Sequence, residues 1–242
     1  MLSLLLIGGL LHSPPALAEV PSRVDVEPLA VPAVDVPLTF VTAVGWYALF
    51  RQHDDWADPS CPCDRTDAPR WDRIGVDGTW RQGETMADAT LGAALLVSLG
   101  AAAMGADDMD DVFEDALLST EAMMIAGLLT QGVKTATSRP YPYLLRPGAD
   151  PAREADGVNY AAFWSGHTAT PMAAAVAAAW QFQRRRPHDP MRWVFWVVGP
   201  ALALSSGVFQ ISAGNHYPSD VVVGAAVGAG VGLAVPWLHG EF

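Results

Sequence analysis

Ser212-Ala213-Gly214-Asn215-His216-Tyr217-Pro218-Ser219-Asp220 is the stretch whose reading decides the fold. It sits between two apolar segments, residues 192–210 and 219–238, at a proline-marked boundary from loop to helix. His216 stands four residues before Asp220. A carboxylate one helical turn on can accept from one imidazole nitrogen and leave the other facing outward, which holds a nucleophilic or proton-transferring histidine in one tautomer. The plainer alternative is an ordinary histidine at a helix start followed by a capping aspartate.

A second turn of the same kind lies about fifty residues earlier, Phe163-Trp164-Ser165-Gly166-His167-Thr168, before an alanine-rich apolar segment that runs to Gln183. It offers a hydroxyl, a glycine amide that an anion can approach closely and a titratable ring, all near the positive end of a helix dipole. A third element, Lys134-Thr135-Ala136-Thr137-Ser138-Arg139-Pro140-Tyr141-Pro142-Tyr143, closes another apolar helix with two cations and a proline stop. Three helix ends, two histidines and two cations point to one phosphate-sized pocket. They predict an all-α bundle of five to six main helices with its site at helix ends.

These blocks resemble the three signature blocks of the type 2 phosphatidic acid phosphatase family, which also contains bacterial acid phosphatases and vanadium haloperoxidases. The family pattern is Lys, six residues, Arg-Pro; then Pro-Ser-Gly-His; then Ser-Arg, five residues, His, three residues, Asp. The resemblance covers roughly residues 113–238.

The departures are specific. Counted from Lys134, the arginine of the first block falls on Tyr141 while Pro142 is kept; Arg139 lies two residues early. Taking Arg139-Pro140 as the Arg-Pro instead puts Gly132 at the lysine position, so the first register is preferred. Trp164 replaces the proline of the second block, and Gln210 stands where the third block has arginine. Neither a phenol nor an amide supplies the positive charge of a bidentate guanidinium, so weakened phosphate affinity is expected.

The resemblance implies phosphomonoester hydrolysis through a phosphohistidine. His216 attacks phosphorus with Asp220 orienting it, His167 protonates the leaving oxygen, and Lys134, Arg139, Ser165 and the Gly166 amide hold the non-bridging oxygens. Cations and amides suffice to neutralise that charge, so no metal and no cofactor is expected. Vanadate, which resembles five-coordinate phosphorus, fits the same cage, and haloperoxidase chemistry is a minor alternative. The rival from another class is a family member that keeps the His-His-Asp set but has lost turnover and serves as a binding or structural protein of the envelope. Substrates in view are phosphorylated small molecules, lipid phosphates and polyprenyl pyrophosphates.

Bulk properties bound the choice. The 242-residue chain has 26 acidic against 14 basic residues and a net charge of -12, without a basic stripe, which excludes nucleic acid as a partner. Apolar residues make up 51% and charged ones 17%, with a mean hydropathy of +0.21, a balance that leans toward a membrane or a strongly helical core.

Residues 1–18 end in Ala16-Leu17-Ala18 after an apolar run and resemble a signal peptide, with an uncleaved anchor as the alternative. Residues 19–36 read as an extended linker and 37–242 as the helical domain. Residues 37–50 are short for a bilayer crossing and are expected to form an interfacial or packing helix.

The polar stretch 51–86 holds Cys61 and Cys63, read as a loop tie rather than a soft-metal site. Asp107-Asp108-Met109-Asp110-Asp111 lacks the ligand spacing of a calcium loop and is read as a helix-capping turn. Arg146 and Arg153, in the loop 144–160 over the pocket mouth, are candidates to replace the missing arginines. Arg184, Arg185, Arg186 and Arg192 mark one inter-helix turn; if the segments span, the positive-inside tendency puts that turn in the cytoplasm and the pocket in the periplasm. Asp88, Glu121 and Gln131 inside helical segments count against spanning, so a secreted periplasmic bundle stands as the alternative to an integral membrane protein. Gly224, Gly228, Gly230 and Gly232 permit close helix packing.

Overall fold

The computed structural model describes residues 24, 26–61 and 63–240. Six long helices, α1 (Pro32–Trp56), α3 (Gly83–Gly105), α4 (Met109–Thr137), α6 (Gly166–Arg185), α7 (Met191–Ala213) and α8 (Pro218–Gly240), form the bundle, with single-turn helices α2 (Arg73–Val76) and α5 (Pro151–Glu154) in the connections. Among the described residues there is no strand, so the all-α bundle expected from the sequence is what forms. The expected signal peptide lies outside the described residues.

The axis of the bundle is α6, buried at every position from 168 to 179. It packs against α3, α4, α7 and α8, and its run of alanines is what lets four neighbours approach. On α8 the answering residues are Gly224, Gly228 and Gly232, one per turn. A Cβ on each would lie 2.7 Å from Ser165 O, 2.4 Å from Ala169 O and 2.5 Å from Ala173 O. The backbones touch there because no side chain intervenes. Gly230, also singled out in the sequence, has nothing near it.

Successive long helices alternate direction, so the connections 57–82, 138–165 and 214–217 gather at one end and 106–108 and 186–190 at the other. The first end holds the site. Asp108 caps α4 by accepting from the amides of Asp110 and Asp111, both at 3.0 Å, which is the capping role expected of the acidic turn.

The linker and first-helix boundaries need correcting. α1 begins at Pro32, inside the stretch read as linker, and its 25 residues replace the 14-residue interfacial segment. At about 1.5 Å per residue it is long enough to cross a hydrocarbon layer of about 30 Å. Among the described residues four helices, α1, α3, α7 and α8, are long and apolar enough to do so. The burial pattern of α1 is inverted: Asp35, Thr42 and His53 are buried, whereas Phe40 is 69% and Tyr47 65% exposed. An apolar exterior over a polar interior is the signature of a membrane protein. The polar residues of α4 obey the same rule, with Glu121, Gln131 and Lys134 all facing inward. Of the three residues that counted against spanning, Asp88 is the exposed one, and it lies in the second turn of α3 at the site end.

The charge argument for topology also changes. Arg185 is buried in ion pairs with Asp111 (2.7 Å), Glu114 (3.2 Å) and Asp115 (3.2 Å), so the arginine turn is a bundle clamp. Nine of the chain's 14 basic residues, those from Arg51 to Arg153, belong to the site end. A positive-inside count therefore does not place the site outside.

Candidate active site

The turn carrying His216 is shaped by Gly214, which ends α7 at φ 85° and lets the Asn215 amide return to Gln210 O at 3.0 Å. Only glycine takes that conformation without strain, and Gly78 O also lies where a Cβ would stand. His216 is then delivered one turn before Asp220. Asp220 is fully buried, and its Oδ2 accepts from His216 Nδ1 at 3.2 Å and from the Tyr217 amide at 2.9 Å. With Nδ1 carrying the hydrogen, Nε2 keeps its lone pair.

Burial holds the His216 pKa down to about 4, against the bond from Asp220, while the nearby positive charge of Lys134 and the His167 ring act in the same direction as burial. The ring is therefore neutral at ordinary pH.

His167, in the first turn of α6, is half-exposed and places Nε2 3.1 Å from Asp88 Oδ1 on α3. His167 and His216 line one cavity of about 640 Å³, together with Lys134, Gly166, Tyr141, Gln210 and Asn215. The two rings, 49 residues apart in sequence, therefore open onto the same space. Lys134 Nζ donates to Ala161 O and sits 5.9 Å from the centre of the Tyr141 ring. Tyr141 and Gln210, at the positions where arginines were expected, both face the cavity; burial pushes the Tyr141 phenol pKa up, and Gln210 accepts from Asn215 Nδ2 at 2.9 Å.

Two expected phosphate ligands stand elsewhere. Arg139 Nη1 donates to Asp220 Oδ1 and to Ser219 Oγ (2.9 Å), Nη2 donates to Asp72 Oδ2 (2.8 Å), and the guanidinium lies 3.9 Å over the Tyr217 ring. It is directed at two carboxylates behind the histidine because both are buried and need a cation. Ser165 is fully buried, accepts from Thr168 Oγ1 at 3.2 Å and does not line the cavity. Its amide donates to Asp220 O at 3.0 Å, fastening the start of α6 to that of α8.

Arg146 and Arg153 do not replace the missing arginines. Arg146 bonds Val76 O and Gly78 O, Arg153 lies 5.9 Å from the Tyr143 ring, and neither lines the cavity. The loop over the mouth does contribute Val158, and Tyr143 just before it also lines the cavity.

Other residues at the site were not legible in the sequence. Asp72, 1% exposed, accepts from the Ser219 amide (2.9 Å) and hydroxyl (2.7 Å) as well as from Arg139. From α1 come Trp46, Phe50, Arg51 and His53; His53 is buried, with Nδ1 3.2 Å from Thr135 Oγ1 and no partner for Nε2. Asp72 and Ser219 are 147 residues apart, and no spacing rule connects them. The cysteines form a Cys61–Cys63 disulfide, a loop tie beside the site that packs near Tyr160, whose hydroxyl accepts from the Cys61 amide at 3.2 Å.

A histidine held by a buried carboxylate thus lines one cavity with a second histidine and a lysine at the ends of antiparallel helices. The PAP2 superfamily model matches residues 115–242; the chain belongs to that superfamily. A stretch of 83 residues is 36% identical to a lipid A 1-phosphatase from Porphyromonas gingivalis, covering 34% of this chain and 17% of that protein. No solved structure matches the chain significantly.

Proposed function

We propose that the protein is a membrane phosphatase that hydrolyses phosphate monoesters or lipid (pyro)phosphates through a phosphohistidine. The observation that carries this reading is the meeting of His167, His216 and Lys134 on one cavity. His216 Nε2 attacks phosphorus while Asp220 keeps Nδ1 protonated and stabilises the ring as it becomes cationic. His167 gives a proton to the leaving oxygen, and Asp88 positions it. Lys134 and the Gly166 amide, at the positive end of α6, neutralise the non-bridging oxygens. Arg139 and Ser165 act from behind by fixing Asp220. Water then releases phosphate from His216, with His167 as base.

The cavity favours an amphipathic substrate. Its cationic floor continues into a flank of Trp46 and Phe50 from α1, the least buried of the four apolar helices, and the partial relative is named for action on lipid A.

The site is assigned to the extracytoplasmic side of the membrane, as a periplasmic-facing one, because the Cys61–Cys63 disulfide lies at the site end and disulfides persist in oxidising compartments. Six alternating helices then leave residues 26–31 and the end of α8 on the cytoplasmic side. A cleaved export signal at residues 1–18 delivers the opposite arrangement, so the disulfide and that signal peptide exclude each other.

Hydrolysis of p-nitrophenyl phosphate and of a lipid phosphate in mixed micelles by purified protein, beside His216→Ala, tests the reading. Loss of turnover in the variant is expected; equal rates sink it. The second reading, a family member without turnover, is favoured by Tyr141 and Gln210 facing the cavity in place of cations. It predicts phosphate binding or none, and no hydrolysis by either form.

A further inference from the structure

At the end of the bundle away from the phosphate cavity, three helices bring together Asp35 in the first turn of α1, Glu121 on α4 and His239 in the last turn of α8. One donor atom from each lies within 4.8 Å of the others. Asp35 and Glu121 are each 2% exposed. Around them stand Leu29, Leu118, Ala122 and Val235, an apolar cluster in which an uncompensated charge is costly.

The hydrogen bonds settle which histidine nitrogen faces the carboxylates. His239 Nδ1 lies 2.7 Å from Val235 O; a carbonyl only accepts, so Nδ1 carries hydrogen. Nε2 is left pointing at Asp35 Oδ1, 3.2 Å away, and at Glu121 Oε2, 3.8 Å away. A backbone carbonyl holding the far nitrogen of a histidine is the arrangement that metal-binding histidines use to fix their tautomer. Glu121 Oε2 is buried with no hydrogen-bond partner. Asp35 Oδ2 is satisfied by the Val31 amide at 2.6 Å.

Charge makes the same demand. Two buried carboxylates face one imidazole, and among the described residues no lysine or arginine pairs with any of the three. With both carboxylates ionised, even a protonated ring leaves one negative charge unmatched, whereas a dication matches both. Tetrahedral zinc with bonds of about 2.0 Å requires donors about 3.3 Å apart; the observed 3.2 and 3.8 Å separations bracket that figure. One nitrogen and two oxygens also suit a first-row divalent ion better than calcium or magnesium.

We propose that Asp35, Glu121 and His239 bind a divalent transition-metal ion that ties the start of α1 and the end of α8 to α4. The ion is structural, remote from hydrolysis, and completes its coordination with water.

The test uses the full chain purified in detergent. Metal analysis is expected to find one ion per chain after zinc loading, with the unfolding temperature raised by Zn²⁺ and lowered by EDTA. Cobalt substitution is expected to give the visible absorption band of a tetrahedral site. Glu121→Gln and His239→Ala are expected to lose ion and response together, whereas His216→Ala, at the opposite end, keeps both. A wild-type protein that takes up no ion and whose unfolding ignores zinc and EDTA overturns the proposal. So does Glu121→Gln that retains the ion, or an ion lost from His216→Ala. If either cluster variant fails to fold, the chelation response of the wild type with Asp35→Asn decides.

Discussion

Asp88 Oδ1 stands 3.1 Å from His167 Nε2, across the gap between α3 and α6. His167 and His216 thus each have their own carboxylate, but in different settings: Asp220 is sealed, with no exposed side-chain surface, whereas the Asp88 side chain is 65% exposed. The two pairs should respond unequally to mutation. An exposed pair is worth roughly 0.2–1 kcal/mol, so Asp88→Asn is expected to lower kcat by only about two- to fivefold. His167→Ala removes the acid itself, an effect of about 10²–10⁴. Steady-state kinetics on both variants checks the order, and an Asp88→Asn loss as large as that of His167→Ala contradicts it.

The depressed His216 pKa sets an acid limit. Attack requires the neutral ring; its pKa is held down to about 4 by burial, so the neutral form persists as pH falls until it is lost near that value. The acid limb of kcat/KM belonging to His216 is expected near pH 4, about 2.5 units below a free histidine. A kcat/KM profile measured with p-nitrophenyl phosphate and corrected for the second ionisation of the substrate itself reports it; a corrected limb near 6.5 contradicts the buried geometry.

Arg139 joins Asp72 and Asp220, both nearly inaccessible. Removing one partner of a buried ion network leaves uncompensated charge and costs roughly 3–5 kcal/mol. Arg139→Ala is therefore expected to lower the unfolding temperature markedly and to lower kcat. A direct phosphate ligand would instead raise KM with stability unchanged, and thermal unfolding beside a kcat and KM split tells the two apart.

Tyr141 and Gln210 face the cavity without supplying charge. Hydrogen bonds to charged groups contribute about 1.5–3 kcal/mol, so Tyr141→Arg with Gln210→Arg is expected to lower the inhibition constant for inorganic phosphate by roughly 10- to 100-fold. Arg51→Ala, at the α1 flank, is expected to raise it about two- to fivefold, less at high salt.

Orientation can be read directly. With the site end outside, a reporter fused after α8 is expected to be active in the cytoplasm, and a cysteine introduced at the exposed Arg70 is expected to react with a membrane-impermeant maleimide in intact spheroplasts. The reverse labelling pattern removes the disulfide argument.

The sequence by itself determined the helical architecture, because apolar segments cut by Gly214, Pro218 and Pro140 leave the chain little else to form, and the His-Asp spacing at 216 and 220, because i and i+4 share a helix face wherever the helix lies. It also carried the His167 turn and the absence of arginine at 141 and 210. Only the tertiary structure decided what Arg139 does: a cation beside a motif looks like a ligand until two buried carboxylates, one of them Asp72 from a distant polar loop, are found to enclose it. The same holds for α1, whose length was hidden by Asp35 and Pro37 near its start and by Arg51, Asp54 and Asp55 near its end, residues that lower a local apolar average; that Asp35 is buried against its neighbours is decided by packing alone. Pairings across the bundle, such as Asp88 with His167 or Asp35 with His239, depend on how helices stack rather than on sequence distance, which is why no reading along the chain could reach them.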